Sequence, residues 1–104
     1  MPRRSPAAKS PLYTPAEWTA AVASLRLSER QADIVELLLQ GKRDKQIAQE
    51  LGLKLPTVRT YLSRLFIRFG VADRVDLMLH VLAVIRRQFV MTPEVTAFGR
   101  SGMM

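Results

Sequence analysis

Residues 44–70 read DKQIAQELGLKLPTVRTYLSRLFIRFG, and the way this stretch divides decides the fold. Ile47, Ala48 and Leu51 form the inner side of a short helix that breaks at Gly52. A longer helix follows, from about Leu55 to Phe69, and closes at Gly70. Ala48 is small where the second helix must approach closely, and Gly52 supplies the positive φ of a tight helix–helix turn. Leu53 plugs the corner. On the second helix Val58, Leu62, Leu65 and Phe69 fall on one stripe at about 100° per residue. Burying that stripe turns Arg59, Thr60, Ser63, Arg64 and Ile67 outward. No acidic residue stands between Glu50 and Asp73, whereas Lys54, Arg59, Arg64 and Arg68 do. A basic, acid-free helix behind a tight turn suits a major groove lined by phosphates. Arginine can grip guanine with two hydrogen bonds, and Thr or Ser offers shorter contacts.

Helix signals continue on both sides. Thr14-Pro15-Ala16-Glu17 predicts a helix start, with Thr as N-cap, Pro in the first turn and Glu reaching back. That helix runs to about Leu25, with Trp18, Val22 and Leu25 on one face. Trp18 reads as core rather than as a stacking platform. Ser28-Glu29-Arg30-Gln31 is a second capping box, opening a helix that turns Ile34, Val35, Leu37 and Leu38 inward and stops at Gly41. Asp44 is expected to cap the short helix, and Asp73 the last one, from Arg74 to about Phe89. With no strand-like alternation and no repeat, the expectation is an all-α chain of five helices. Its parts are a basic arm (1–12), an N-terminal helix (13–26), the helix-turn-helix domain (27–89) and a tail (90–104). Arg3, Arg4 and Lys9 in the arm either sweep a neighbouring groove or merely solubilise the chain.

Composition narrows the function. At 104 residues there is room for one core, and 16 Lys+Arg against 9 Asp+Glu give a net charge of +7. Such an excess calls for an anionic partner, nucleic acid before membrane, because no basic helix keeps a bulky apolar face free for lipid. The absence of cysteine excludes disulfides and thiolate metal sites. No apolar run reaches the roughly 18 residues that span a bilayer. The densest, Val75 to Ile85, is interrupted by Asp76 and His80, and the basic N-terminus has no apolar stretch of a secretory signal behind it. His80 lacks a second ligand and reads as a plain surface histidine. Asp33, Glu36 and Asp44 sit at helix-surface spacings beside basic residues, so neither a metal site nor a catalytic set is expected. The chain reads as no enzyme, with no cofactor.

Residues 27–83, just over half the chain, resemble the LuxR/FixJ-type helix-turn-helix domain. The resemblance rests on Leu27-Ser28 with Arg30, Gly41 with Asp44-Lys45-Gln46-Ile47-Ala48, Leu51-Gly52-Leu53, Thr57-Val58-Arg59 with Leu65, and Gly70-Val71 with Arg74. The last of these is absent from a generic helix-turn-helix. The resemblance implies a four-helix domain, here with an additional N-terminal helix, and a transcription regulator that binds double-stranded promoter DNA sequence-specifically. By position it implies that Arg59, Thr60 and Ser63 approach bases while Thr57 and Tyr61 approach the backbone. With Lys45, Lys54, Arg64 and Arg68 these form the expected DNA-contacting set. It further implies dimerisation through the last helix. RNA polymerase is a further expected partner, and the absence of cysteine fits residence in the cytoplasm, at the bacterial nucleoid.

Three features depart from the family's pattern. Lys54 stands where a Ser or Thr N-cap is usual, weakening the cap by roughly 1 kcal/mol, and Pro56 offsets part of that. Ser63 is short and neutral where a longer basic residue is frequent. Nothing upstream is long enough for the receiver or ligand-binding domain that most members carry, so a stand-alone regulator is expected. The last helix has two apolar stripes: Val75, Met78, Leu79, Leu82 and Phe89 on one side, Leu77, Val81 and Val84 on the other. The first is expected to face the domain's own core. The second needs a partner, either the N-terminal helix in cis or, as the resemblance favours, the same helix of a second subunit. Two alternatives remain. A sigma-factor region-4-like module shares the Leu27-Ser28-Glu29-Arg30-Gln31 opening but not the Gly70-Val71 and Arg74 segment. A protein-binding adaptor that kept the fold but lost DNA contact would account for Lys54 and the outward Ile67.

Overall fold

A computed structural model describes residues 12–89, with side chains to Arg87. The expected arm, apart from Leu12, the tail and the Phe89 side chain lie outside the described residues. The chain order is α1 (Pro15–Leu25), α2 (Glu29–Leu39), α3 (Asp44–Leu51), α4 (Leu55–Phe69) and α5 (Arg74–Phe89), and no strand occurs among the described residues. The fold is all-α, a four-helix helix-turn-helix unit with α1 added in front.

The predicted helix starts form largely as read. The Thr14 hydroxyl accepts from the Glu17 N–H at 3.1 Å while Glu17 accepts from the Thr14 N–H at 2.8 Å. Ser28 and Gln31 repeat the arrangement at 3.1 and 2.8 Å. Asp73 accepts from the Asp76 N–H at 2.9 Å at the head of α5. Asp44 differs: it is the first residue of α3, and Arg43 occupies the N-cap in an extended conformation. The only capping bond there runs from the Arg43 N–H to Gln46 Oε1, 3.0 Å. The Asp44 carboxylate turns away from the backbone because Arg74 binds it, as described below.

Every residue of α2 from Ala32 to Leu39 is buried. An apolar set on all sides, Ile34, Val35, Leu37, Leu38 and Leu39, is what a central helix requires. Asp33 and Glu36 are carried inside with it, Glu36 completely. Their expected place on a helix surface is therefore corrected: α3 and α5 both pack on α2, leaving it no free side.

The largest correction concerns α5. Its most extensive partner is α1, with α2 and α4 also packed on it. Leu77 and Val81 are fully buried and Val84 nearly so, in one core with Trp18, Ala21 and Leu25 of α1. Trp18 is core, as expected, and stacks on Tyr13 with ring centroids 5.4 Å apart. The stripe assigned to a second subunit, Leu77, Val81 and Val84, is thus covered in cis. The stripe assigned to the core is instead the open one: Val75 and Leu79 are 57% and 59% exposed, and Met78 and Leu82 are half-buried. The two stripes exchange roles because α1 lies across α5 and takes the side that a bare four-helix unit would leave open.

Burial of Val81 generates a prediction. Val81→Glu should unfold the chain, since a carboxylate placed in this core without a partner would cost about 4 kcal/mol or more. Circular dichroism should show the loss of helix, which surface placement of the stripe would not produce.

Candidate nucleic-acid interface

The interface is built on the α3–α4 turn. Gly52 ends α3 with φ of 66°, and its neighbour's N–H, that of Leu53, bonds the Ala48 carbonyl at 2.9 Å. A Cβ at Gly52 would meet nothing within 4 Å, so the demand for glycine is conformational and not spatial. Val58, Leu62 and Leu65 then anchor α4 in the core, while Leu53 and Phe69 pack at its edge, half-buried. Fixing that stripe fixes what the opposite face shows. Thr57, Arg59, Thr60, Ser63 and Arg64 are all exposed, and so are Lys45 on α3 and Lys54 before α4. Tyr61 is half-buried against the core, and Ile67 is 81% exposed. No side chain caps α4: Lys54 serves only through its carbonyl, which accepts from the Thr57 and Val58 N–H groups at 3.0 and 3.2 Å.

Two acids border this face, and both are neutralised. Glu50 pairs with Lys42 Nζ at 2.9 Å. Asp44 Oδ1 receives Arg74 Nη1 at 2.8 Å, and its other oxygen lies 3.7 Å from Arg59 Nε. Arg74 also donates to the Lys42 carbonyl at 2.8 Å, so one side chain from α5 ties the α2–α3 junction to the start of α3. Among the described residues no group of three or more acids or histidines could hold a metal ion, and no helix is long and apolar enough to cross a membrane.

Arg68 departs from its expected role. Its guanidinium turns back onto the end of α1, donating to the Leu25 carbonyl, to the Arg26 carbonyl at 3.0 Å and to Gln31 Oε1 at 3.4 Å. The last turn of α1 carries no basic residue of its own, and Arg26 caps it at φ of 54°. Arg68 supplies the cation that a helix C-terminus favours, from more than forty residues further along the chain. Its guanidinium also lies 4.8 Å from the centroid of Phe69, whose ring meets that of His80 at 5.0 Å. His80 is accordingly half-buried against an aromatic ring, not a free surface residue.

The model of the GerE family, described as bacterial regulatory proteins of the luxR family, matches residues 25–81. The chain belongs to the luxR family of bacterial regulatory proteins. It is similar to the transcriptional regulatory protein DesR of Bacillus subtilis (strain 168), 40% identical over 50 residues that make up 48% of this chain and 25% of DesR. It is also similar to the spore germination protein GerE of the same organism, 36% identical over 56 residues, 54% of this chain and 76% of GerE. A third relative, the transcriptional regulatory protein LiaR, is 33% identical over 48 residues, 46% of this chain and 23% of LiaR. The match thus spans about a quarter of the two longer regulators. No solved structure matches. Membership supports DNA-binding transcription regulation, and the family is one of regulators rather than of enzymes.

Sequence reasoning missed the partners of Asp44 and those of Arg68, since both join helices distant along the chain. Arg68→Ala is expected to lower stability by about 1.5–3 kcal/mol, the usual worth of hydrogen bonds to a charged group. A thermal melt should show the drop while the salt slope of DNA binding stays as in the parent; a shallower slope with an unchanged melt would mean that Arg68 contacts phosphate instead.

Proposed function

We propose that the chain binds double-stranded DNA sequence-specifically as a transcription regulator, laying the exposed face of α4 in the major groove. The observation that carries this reading is the outward set Arg59, Thr60, Ser63 and Arg64, held rigid by buried Val58, Leu62 and Leu65, with neighbouring acids already paired. Arg59, Thr60 and Ser63 approach base edges. Lys45, Lys54, Thr57, Tyr61 and Arg64 approach phosphate and sugar, where cations and hydroxyls set affinity and register. DNA as the partner places the protein in the cytoplasm at the nucleoid, with RNA polymerase as the machinery it would influence.

Selection of bound duplexes from a random pool tests this directly. An enriched, two-fold symmetric motif is expected, and no enrichment together with a flat salt dependence would favour a protein-binding adaptor. On the selected site, Arg59→Ala should lose about 1–3 kcal/mol of binding and blur preference at one base position. Equal loss on specific and unrelated duplexes would reduce Arg59 to a phosphate contact.

A symmetric site calls for two copies. The face that fits is the open side of α5, Val75, Met78, Leu79 and Leu82, and not the covered stripe. Pairing two such faces would set two α4 helices about 34 Å apart along one side of DNA. Leu79→Glu should leave the fold and its melting temperature nearly intact, because the side chain is already 59% exposed. Sedimentation at micromolar concentration should show a dimer becoming a monomer, with cooperative binding to the two-fold site lost; an unchanged sedimentation profile would place the dimer contact elsewhere.

A further inference from the structure

The acid at position 44 is unexpected on a surface meant for phosphates. Any carboxylate there repels the DNA backbone, and the basic face of α4 otherwise excludes acids from Leu51 to Ala72. Two contacts account for it. Arg74 Nη1 at 2.8 Å holds one carboxylate oxygen, neutralises the charge and fixes the group in place, with the Lys42 carbonyl holding the other end of Arg74. The second oxygen faces Arg59 Nε at 3.7 Å. Nε is the inner nitrogen of a guanidinium, so an acid facing it at ion-pair distance draws on the stem of the side chain and does not itself occupy the Nη groups. Those two are the fork that meets O6 and N7 of guanine. Arg59 is itself 65% exposed at the side chain, and a long arginine with that much freedom would otherwise sample phosphates as readily as bases.

We infer that Asp44 is a specificity-positioning residue: anchored by Arg74, it orients Arg59 from behind so that its paired Nη groups address a guanine rather than the neighbouring phosphates. The inference rests on the reading of Arg59 as a base contact. It makes Asp44 act through Arg59 and not on DNA directly. The Asp44–Arg74–Arg59 group keeps a net charge of +1, so orientation is gained without making the surface anionic.

The test uses the full chain, a duplex recovered by selection, its single-base variants and an unrelated duplex. Asp44→Ala is expected to cut preference for guanine at the Arg59-dependent position about five- to tenfold, within the range that one bidentate arginine provides. Affinity for the unrelated duplex should stay level or rise, since a negative charge is gone and Arg59 is free to reach phosphate. In an Arg59→Ala background the same substitution should cause no further loss of preference. A merely structural Asp44 would weaken all duplexes alike, and its effect would persist without Arg59; that pattern overturns the inference, as does a folded Asp44→Ala protein with preference intact. If Asp44→Ala melts, the isosteric Asp44→Asn carries the same comparison. A parent protein whose base preference does not depend on Arg59 overturns the base-reading assignment and this inference with it, whereas dependence on Arg59 but not on Asp44 overturns this inference alone.

Discussion

The structure depends on what covers α5. This helix is apolar on two sides, and only one of them can be buried inside a single small domain. Leu77, Val81, Val84 and Ile85 go inward because α1 brings Trp18, Ala21 and Leu25 to meet them. Each aliphatic side chain fully removed from water contributes about 1.5–3 kcal/mol, so the shared face of α1 and α5 outweighs any single cap or ion pair in the molecule. Once that face is fixed, α5 offers α2 and α4 a rigid neighbour, and the orientation of α4 follows from its own buried stripe.

Arginines then join parts that packing alone leaves loosely related. Arg68 fastens the end of α1 to α4, and Arg74 fastens the α2–α3 junction to α5. Both donate to backbone carbonyls, which lie at helix ends and between helices where no amide of the same helix can reach them. A planar guanidinium serves two such acceptors at once, and lysine could not replace it with the same geometry. The basic surplus of this chain is therefore divided. Arg68 and Arg74 are engaged in hydrogen bonds within the protein, while Arg59 and Arg64 present their Nη groups to the exposed face. Net charge alone does not reveal that division, and a count of cations overstates the electropositive face.

Local signals in the sequence proved strong where they were complete within a few residues. The capping pairs Thr14–Glu17 and Ser28–Gln31, the Asp73 cap and the turn at Gly52 were all legible, because both partners lie within one turn of helix. The outward set on α4 was legible for the same reason, since one period fixes both faces of an amphipathic helix. Asp44 was misplaced as a cap because its deciding partner, Arg74, stands thirty residues away. Asp33 and Glu36 were placed on a surface although their helix is buried all round. The run Ile34-Val35-Glu36-Leu37-Leu38-Leu39 was the signal available, being apolar on every side except at the acid itself. The stripes of α5 were read correctly as two, and their assignment failed because periodicity identifies faces without saying which neighbour arrives first.

The stretch shared with the family and the unit that folds are not the same length. Residues 25–81 carry the whole helix-turn-helix and the first half of α5. Yet the core of this protein includes Trp18 and Ala21 before that stretch and Val84 and Ile85 after it. Cut at those limits, Leu77 and Val81 would lose Trp18 and Ala21 from the core they share, although α2 and α4 would still pack on α5, and Arg68 would keep its acceptors at Leu25 and Arg26 without the helix that holds them in place. The N-terminal helix is consequently part of the folding unit that carries the helix-turn-helix, and its last turn is tied to α4 by Arg68. It closes the inner face of α5, and by doing so leaves the outer face, Val75 and Leu79, as the apolar surface of that helix still open to a partner.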